Sequence, residues 1–260
     1  MLQRAQSDGE FHLAVDRCRR VALLLALGLA GCDAAIGGGP STAAPVLQIL
    51  LVAGDSVQRA MVEWRFPADS DVGFNIRPVD SALVQLSLVL PGGASVPFAA
   101  QREQPGGGFF GRYEAPARVA YGAIYQLEGT IVGHVVSATT TVPDSLSIVE
   151  PAQDTIHIAA GSCFGLCSLP YHWVANGADE YQYIQTKAGA IFWSGSTPDT
   201  SGVISISQRR AGADTAMLVV FALETHAAAF LVPETPKSSV TGVFGFFGAA
   251  SRGQRVLLWQ

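Results

Sequence analysis

What most constrains this chain is a series of short segments in which apolar and polar residues alternate, each closed by glycine or proline. In residues 60–66 (AMVEWRF), Met61, Glu63 and Arg65 alternate with Val62, Trp64 and Phe66. Residues 82–90 (ALVQLSLVL) repeat the pattern and end on Pro91-Gly92-Gly93. Successive side chains of an extended strand point to opposite faces, so a period of two marks a strand with one side buried. With the apolar run 46–52 and the segments 96–99, 109–113, 124–132 and 135–142, about seven strands follow at spacings of about 8–15 residues. No stretch between 46 and 142 carries an apolar face at helical spacing. An all-β fold with an antiparallel β-sandwich over residues 46–143 is the expectation.

Pro143 and Pro151 bracket a polar stretch that closes the last of these strands, and a domain boundary is placed there. Beyond it, residues 144–260 read as a second β-rich domain. Strands are expected over 155–159, 172–175, 181–186, 191–193, 203–207, 217–223, 243–247 and 256–259, with a short helical turn over 224–230. The stretch 242–248 (GVFGFFG) is the most apolar part of this half and is expected to be a buried strand; a receptor-docking face is the sharper alternative.

Ahead of the sandwich, Arg17, Arg19 and Arg20 precede eleven apolar or small residues, 21–31 (VALLLALGLAG), and then Cys32. Eleven helical residues reach about 16 Å, against a hydrocarbon core of about 30 Å, so the run is too short to span a bilayer. A charged start, an apolar middle and a small-residue end are the layout of an export signal over residues 1–31. Its Leu29-Ala30-Gly31-Cys32 ending resembles the lipobox of bacterial lipoproteins. That resemblance implies cleavage between Gly31 and Cys32, and lipidation of the Cys32 thiol. Residues 33–45 lack any periodicity and read as a tether, long enough to stretch over about 45 Å.

The 260 residues carry a net charge of −5. Losing residues 1–31 removes Arg4, Arg17, Arg19, Arg20, Asp8, Glu10 and Asp16, which leaves about −6. Lys187 and Lys237 are the only lysines. Nucleic acid and anionic headgroups need clustered cations, so neither is an expected partner.

Cys18 leaves with the leader and Cys32 is spoken for, which isolates Cys163 and Cys167 in GSCFGLCS. Outside the cytoplasm, two cysteines this close are expected to form a disulfide. The competing metal or redox reading lacks both the C-x-x-C spacing and a second ligand pair. A Cys163 nucleophile with His172 as base is the catalytic alternative, without the strand-to-helix setting of a nucleophile elbow. His134, His157, His172 and His226 share no ligand-like spacing. No catalytic residue, metal site or cofactor is therefore assigned. Tyr181 and Tyr183 lie on one side of a strand, with Trp193 on the next. Such aromatics either fill a core or form a stacking platform for a sugar.

Several short motifs follow in order after the leader: DSALVQL (80–86), Gly111-Arg112-Tyr113, Tyr125 to Leu127, TTTVP (139–143) and TGVFGFFGAAS (241–251). This order resembles a family of uncharacterised bacterial lipoproteins whose domain has no assigned function, often encoded beside TonB-dependent outer-membrane receptors. The G-x-Y pattern is also similar to transthyretin-like and carboxypeptidase-regulatory-like sandwiches. The resemblance implies an immunoglobulin-like or transthyretin-like sandwich in a lipid-anchored accessory protein of the cell envelope. It implies no catalytic residues. Its partners would be the membrane and a TonB-dependent receptor. A surface carbohydrate-binding module is the alternative, and an envelope hydrolase a weaker one. The outer membrane is the expected location. Asp33, directly after the lipidated cysteine, resembles the inner-membrane retention signal of enterobacteria and keeps that membrane open.

Overall fold

A computed structural model describes residues 43–66, 77–102, 109–159, 166–174, 176–187, 190–207, 214–231 and 236–259. The first part of the chain gives β1 (Ala44–Val52), β2 (Gln58–Arg65), β3 (Arg77–Pro78), β4 (Val84–Val89), β5 (Ser95–Pro97), β6 (Ala99–Arg102), β7 (Phe109–Ala115), β8 (Ile124–Ile131) and β9 (His134–Thr141). The second gives β10 (Ile148–Glu150), β11 (Thr155–Ile158), β12 (Leu166–Trp173), β13 (Glu180–Lys187), β14 (Ala190–Thr197), β15 (Ser201–Ser207) and β16 (Asp214–Leu223). The helix α1 (Thr225–Leu231) and the long strand β17 (Phe244–Trp259) close it. The protein is all-β, as the alternation predicts.

Two sandwiches form, each around its own core. In the first, the sheet β5-β4-β8-β9 faces β6-β7-β2-β1-β17. Period two decides who is inside: Leu47, Ile49 and Leu51 of β1, Ala60 and Val62 of β2, and Leu86 and Leu88 of β4 all join one cluster. Each of these leucine, isoleucine and valine side chains contributes about 1.5–3 kcal/mol on burial. Tyr125, buried at the start of β8, accepts a hydrogen bond on its hydroxyl from the Ala120 amide at 2.9 Å. That arrangement is the tyrosine corner of immunoglobulin-like sandwiches.

In the second sandwich, β10-β12-β15 faces the β17-β16-β13-β14 part of the large sheet. Cys167, Leu169, Tyr171 and Trp173 alternate inward from β12 and meet Ala216, Leu218, Val220 and Ala222 of β16. Tyr171 stacks on Trp173 with ring centres 4.0 Å apart.

Three outcomes differ from the pattern-based reading. The strand expected over 172–175 begins earlier, as β12, and contains Pro170. Proline lacks an N–H and belongs where no ladder bond is needed. Trp173 donates its amide to the Thr200 carbonyl on the β15 side, so every second residue back, Tyr171 and Leu169, faces β15 and Pro170 faces away. There β10 reaches only Trp173 and His172, so among the described residues no strand pairs with Pro170 on that side.

The strands expected over 243–247 and 256–259 are one continuous strand, β17. Its middle, Gly248-Ala249-Ala250-Ser251, reads weakly as strand because the residues are small. Small side chains suit this place, because Ala250 packs in one cluster with Ala227 and Phe230 of the helix that lies over the strand. β17 also makes two parallel pairings, with β1 and with β11, in an otherwise antiparallel fold. Phe247 and Ala249 belong to the first core and Leu257 to the second, so one strand serves both.

On the opposite face of β17, Phe246 and Ala250 pack beneath Ala227 and Phe230 of α1. Gly248 permits this close approach, since a Cβ there would stand 2.7 Å from Glu224 Oε1 and 2.8 Å from the Ala227 Cβ. Phe246 and Phe247 of GVFGFFG are thus buried on opposite faces, with Phe244 partly buried beside Phe246. Among the described residues no helix is long and apolar enough to cross a membrane.

Candidate functional site

Where the two sandwiches and α1 meet, a cleft of about 680 Å3 opens. Three stretches far apart in sequence, together with Gly122, line it: the end of β9 with Pro143-Asp144, the Asn176-Gly177 turn, and Glu224-Thr225-His226 at the entry of α1.

Asn176 is the hub of the floor. Its side-chain amide donates to the Asp144 carbonyl at 2.7 Å and to Ser251 Oγ at 2.8 Å. Its side-chain carbonyl accepts from the Tyr181 hydroxyl at 3.4 Å. Ser251 is fully buried on β17, on the face that carries Ala249 and Leu257. A polar residue survives there because Asn176 satisfies it; a buried hydroxyl without a partner is destabilising.

Glu224 forms one wall. Its Oε2 accepts from the His226 amide at 2.8 Å, and its Oε1 from Ala227 at 2.9 Å and Ala249 at 3.2 Å. Its own amide donates to the Ala249 carbonyl at 3.0 Å. The carboxylate therefore caps α1 and stitches it to β17, the charge resting on three amides. His226 Nδ1 lies 3.7 Å from Glu224 Oε2, an ion pair whenever the imidazole is protonated.

The third wall is the margin of β9 that no other strand covers among the described residues. Ser137 accepts from the Thr241 amide at 2.9 Å, on the side away from β8. Backbone groups of a strand alternate sides, so those of Thr139 and Thr141 point the same way, into the cleft. Thr140, 2% exposed, lines the same cleft with a hydroxyl that has no partner among the described residues.

The residues singled out from sequence are scattered. Gly31, Cys32 and Cys163 lie outside the described residues. Cys167 is buried on β12 and disulfide-bonded. Tyr181 is 1% exposed and packs on Trp173, ring centres 5.2 Å apart, inside the second core. Burial pushes its hydroxyl pKa up, and that of Tyr183 likewise. In the β13–β14 ladder Trp193 pairs with Gln185. A sugar platform would have to form without Tyr181, because that ring is core. Among the described residues no three His, Cys, Asp or Glu side chains gather as a metal set.

Sequence reasoning missed Asn176, Glu224 and the β9 margin. TTTVP marked one wall, but no local pattern links it to the other two.

No family model matches the chain, and no curated protein matches it. Among solved structures, it is similar to fibronectin(III)-like modules of Clostridium thermocellum CbhA, at 9% identity over 82% of this chain and 93% of that one, with a TM-score of 0.25. A two-domain fibronectin type-III segment of chicken tenascin matches at 14% identity over 70% and 92% of the two chains, with a TM-score of 0.22. A three-domain immunoglobulin segment of titin matches at 8% identity over 84% and 66%, with a TM-score of 0.24. Scores this low carry no argument, and the all-β class rests on the strands described above.

Proposed function

We propose that this protein is a non-enzymatic binding module of a bacterial cell envelope, held to its membrane by lipid on Cys32. The observation that carries the reading is the order Arg17-Arg19-Arg20, the eleven-residue run 21–31 and Cys32, followed by the aperiodic stretch 33–45, whose last two residues, Ala44 and Pro45, already belong to β1. Two or more acyl chains anchor a protein stably where one does not. Confinement to a membrane plane then raises the module's effective concentration beside membrane partners without any new contact.

The family resemblance suggests the outer membrane and a TonB-dependent receptor as place and partner. The fold suits such work: rigid β-sandwiches present loops and strand margins to other proteins while their cores stay closed. A glycan-binding role has less support, since Tyr181 is committed to the core.

Replacing the lipidated residue tests the reading. Cys32→Ala in the native host is expected to move the protein from the membrane fraction to the soluble fraction, or to stall it with its leader attached. A Cys32→Ala protein that is processed and membrane-bound as before would contradict it.

A further inference from the structure

We infer that the cleft between the sandwiches receives an extended peptide segment of a partner protein, added as a strand to the margin of β9 and carrying a basic side chain toward Asp144. The inference rests on the reading of the protein as a binding module and names what that module would hold.

The backbone supplies the first argument. Among the described residues β9 has a full ladder with β8 alone, through the register Ile124↔Thr141 to Ile131↔His134. On its other side Thr241 forms an isolated antiparallel bridge to Ser137, with no further pairing among the described residues. The next two outward positions, Thr139 and Thr141, face the cleft instead of a strand. The margin thus already accepts one antiparallel residue and offers two more places in the same register. Strand addition uses such a margin, main-chain hydrogen bonds giving affinity and side-chain pockets giving selectivity.

The size and charge of the space supply the second. A cleft of about 680 Å3 lies within the range of ordinary ligand sites, about 300–1,000 Å3. Its acidic residues are Asp144 and Glu224. Glu224 is occupied by three backbone amides, whereas the Asp144 side chain is exposed at the mouth, its Oδ1 3.0 Å from where a Cβ on Gly122 would stand. A lysine or arginine on the incoming strand meets that carboxylate.

The test uses the mature protein purified from membranes in detergent, and a phage-displayed library of linear peptides. Selected peptides, made synthetically, are expected to carry Lys or Arg and to slow amide hydrogen exchange at Thr139 and Thr141. Thr141→Pro removes an amide that the β8 ladder does not use, so the fold and melting temperature should hold while affinity falls at least about tenfold. Asp144→Asn leaves the Asp144 backbone bonds to Asn176 in place and should lower affinity for the basic peptides selectively. A library without binders, binders that leave Thr139 and Thr141 exchanging as in the free protein, or glycan-array ligands that protect those amides where peptides do not, would overturn the inference. The parent reading fails separately: a partner that co-purifies from membranes but crosslinks elsewhere on the surface sinks this site and leaves the binding module standing.

Discussion

Asn176 donates to Ser251 across 2.8 Å, fastening a turn of the second sandwich to the strand that both sandwiches share. The bond is buried and its geometry is good, so its loss is felt twice, once at each partner. Asn176→Ala leaves Ser251 Oγ, the Tyr181 hydroxyl and the Asp144 carbonyl without their partner. A loss of about 2–4 kcal/mol is expected in urea unfolding. Ser251→Ala removes only one acceptor and should lose about 1 kcal/mol. The double variant should lose less than the sum, because both act through one network.

Glu63 gives the stability a pH dependence. It lies on β2 with 8% exposure, opposite Val46, and its Oε1 has no partner among the described residues. Burial pushes its pKa from 4.5 up to about 7. The folded state therefore holds the proton more tightly than the unfolded chain does. The contribution of Glu63 is best below pH 4.5, declines as pH rises toward 7, and stays at its lowest above that. Glu63→Gln should match the parent at pH 4 and exceed it at pH 8 by on the order of 2 kcal/mol, read from paired denaturation curves. Equal curves at pH 8 would show that the carboxyl is not held in the buried position.

Glu224 is expected to matter for the attachment of α1 more than for charge at the cleft. Glu224→Ala removes the cap of the helix and the bond to the Ala249 amide together. A loss of about 2–3 kcal/mol should follow, with faster amide exchange at His226 and Ala227 than elsewhere in the fold. Glu224→Gln keeps one acceptor oxygen and should fall between the two.

The alternating strands were legible because their inward residues are large and aliphatic: Leu47-Ile49-Leu51 and Leu86-Leu88 announce their own faces. β17 was legible only at its ends, since the residues that let it cross from one core to the other are glycine, alanine and serine. Pro170 hid the start of β12, its harmlessness being a matter of where β10 stops. Glu63 misled in the other direction. Its place in the alternation, beside Met61 and Arg65, put it on the outer face of β2, yet that face is closed beside it by Val46. Of the cleft, TTTVP marked one wall, but nothing local in the sequence links residues 139–144 to Gly122, 176–177 and 224–226, which only the fold brings together. The anchor is the reverse case, carried wholly by residues 1–32 and independent of any packing.

Mass spectrometry of the intact protein, taken from membranes of its native host, tests the central proposal most directly. A chain beginning at Cys32, heavier than residues 32–260 by the mass of a diacylglycerol or a triacyl modification, is the predicted result. A chain that keeps residues 1–31, or one that starts at or after Cys32 and carries no lipid, would contradict it.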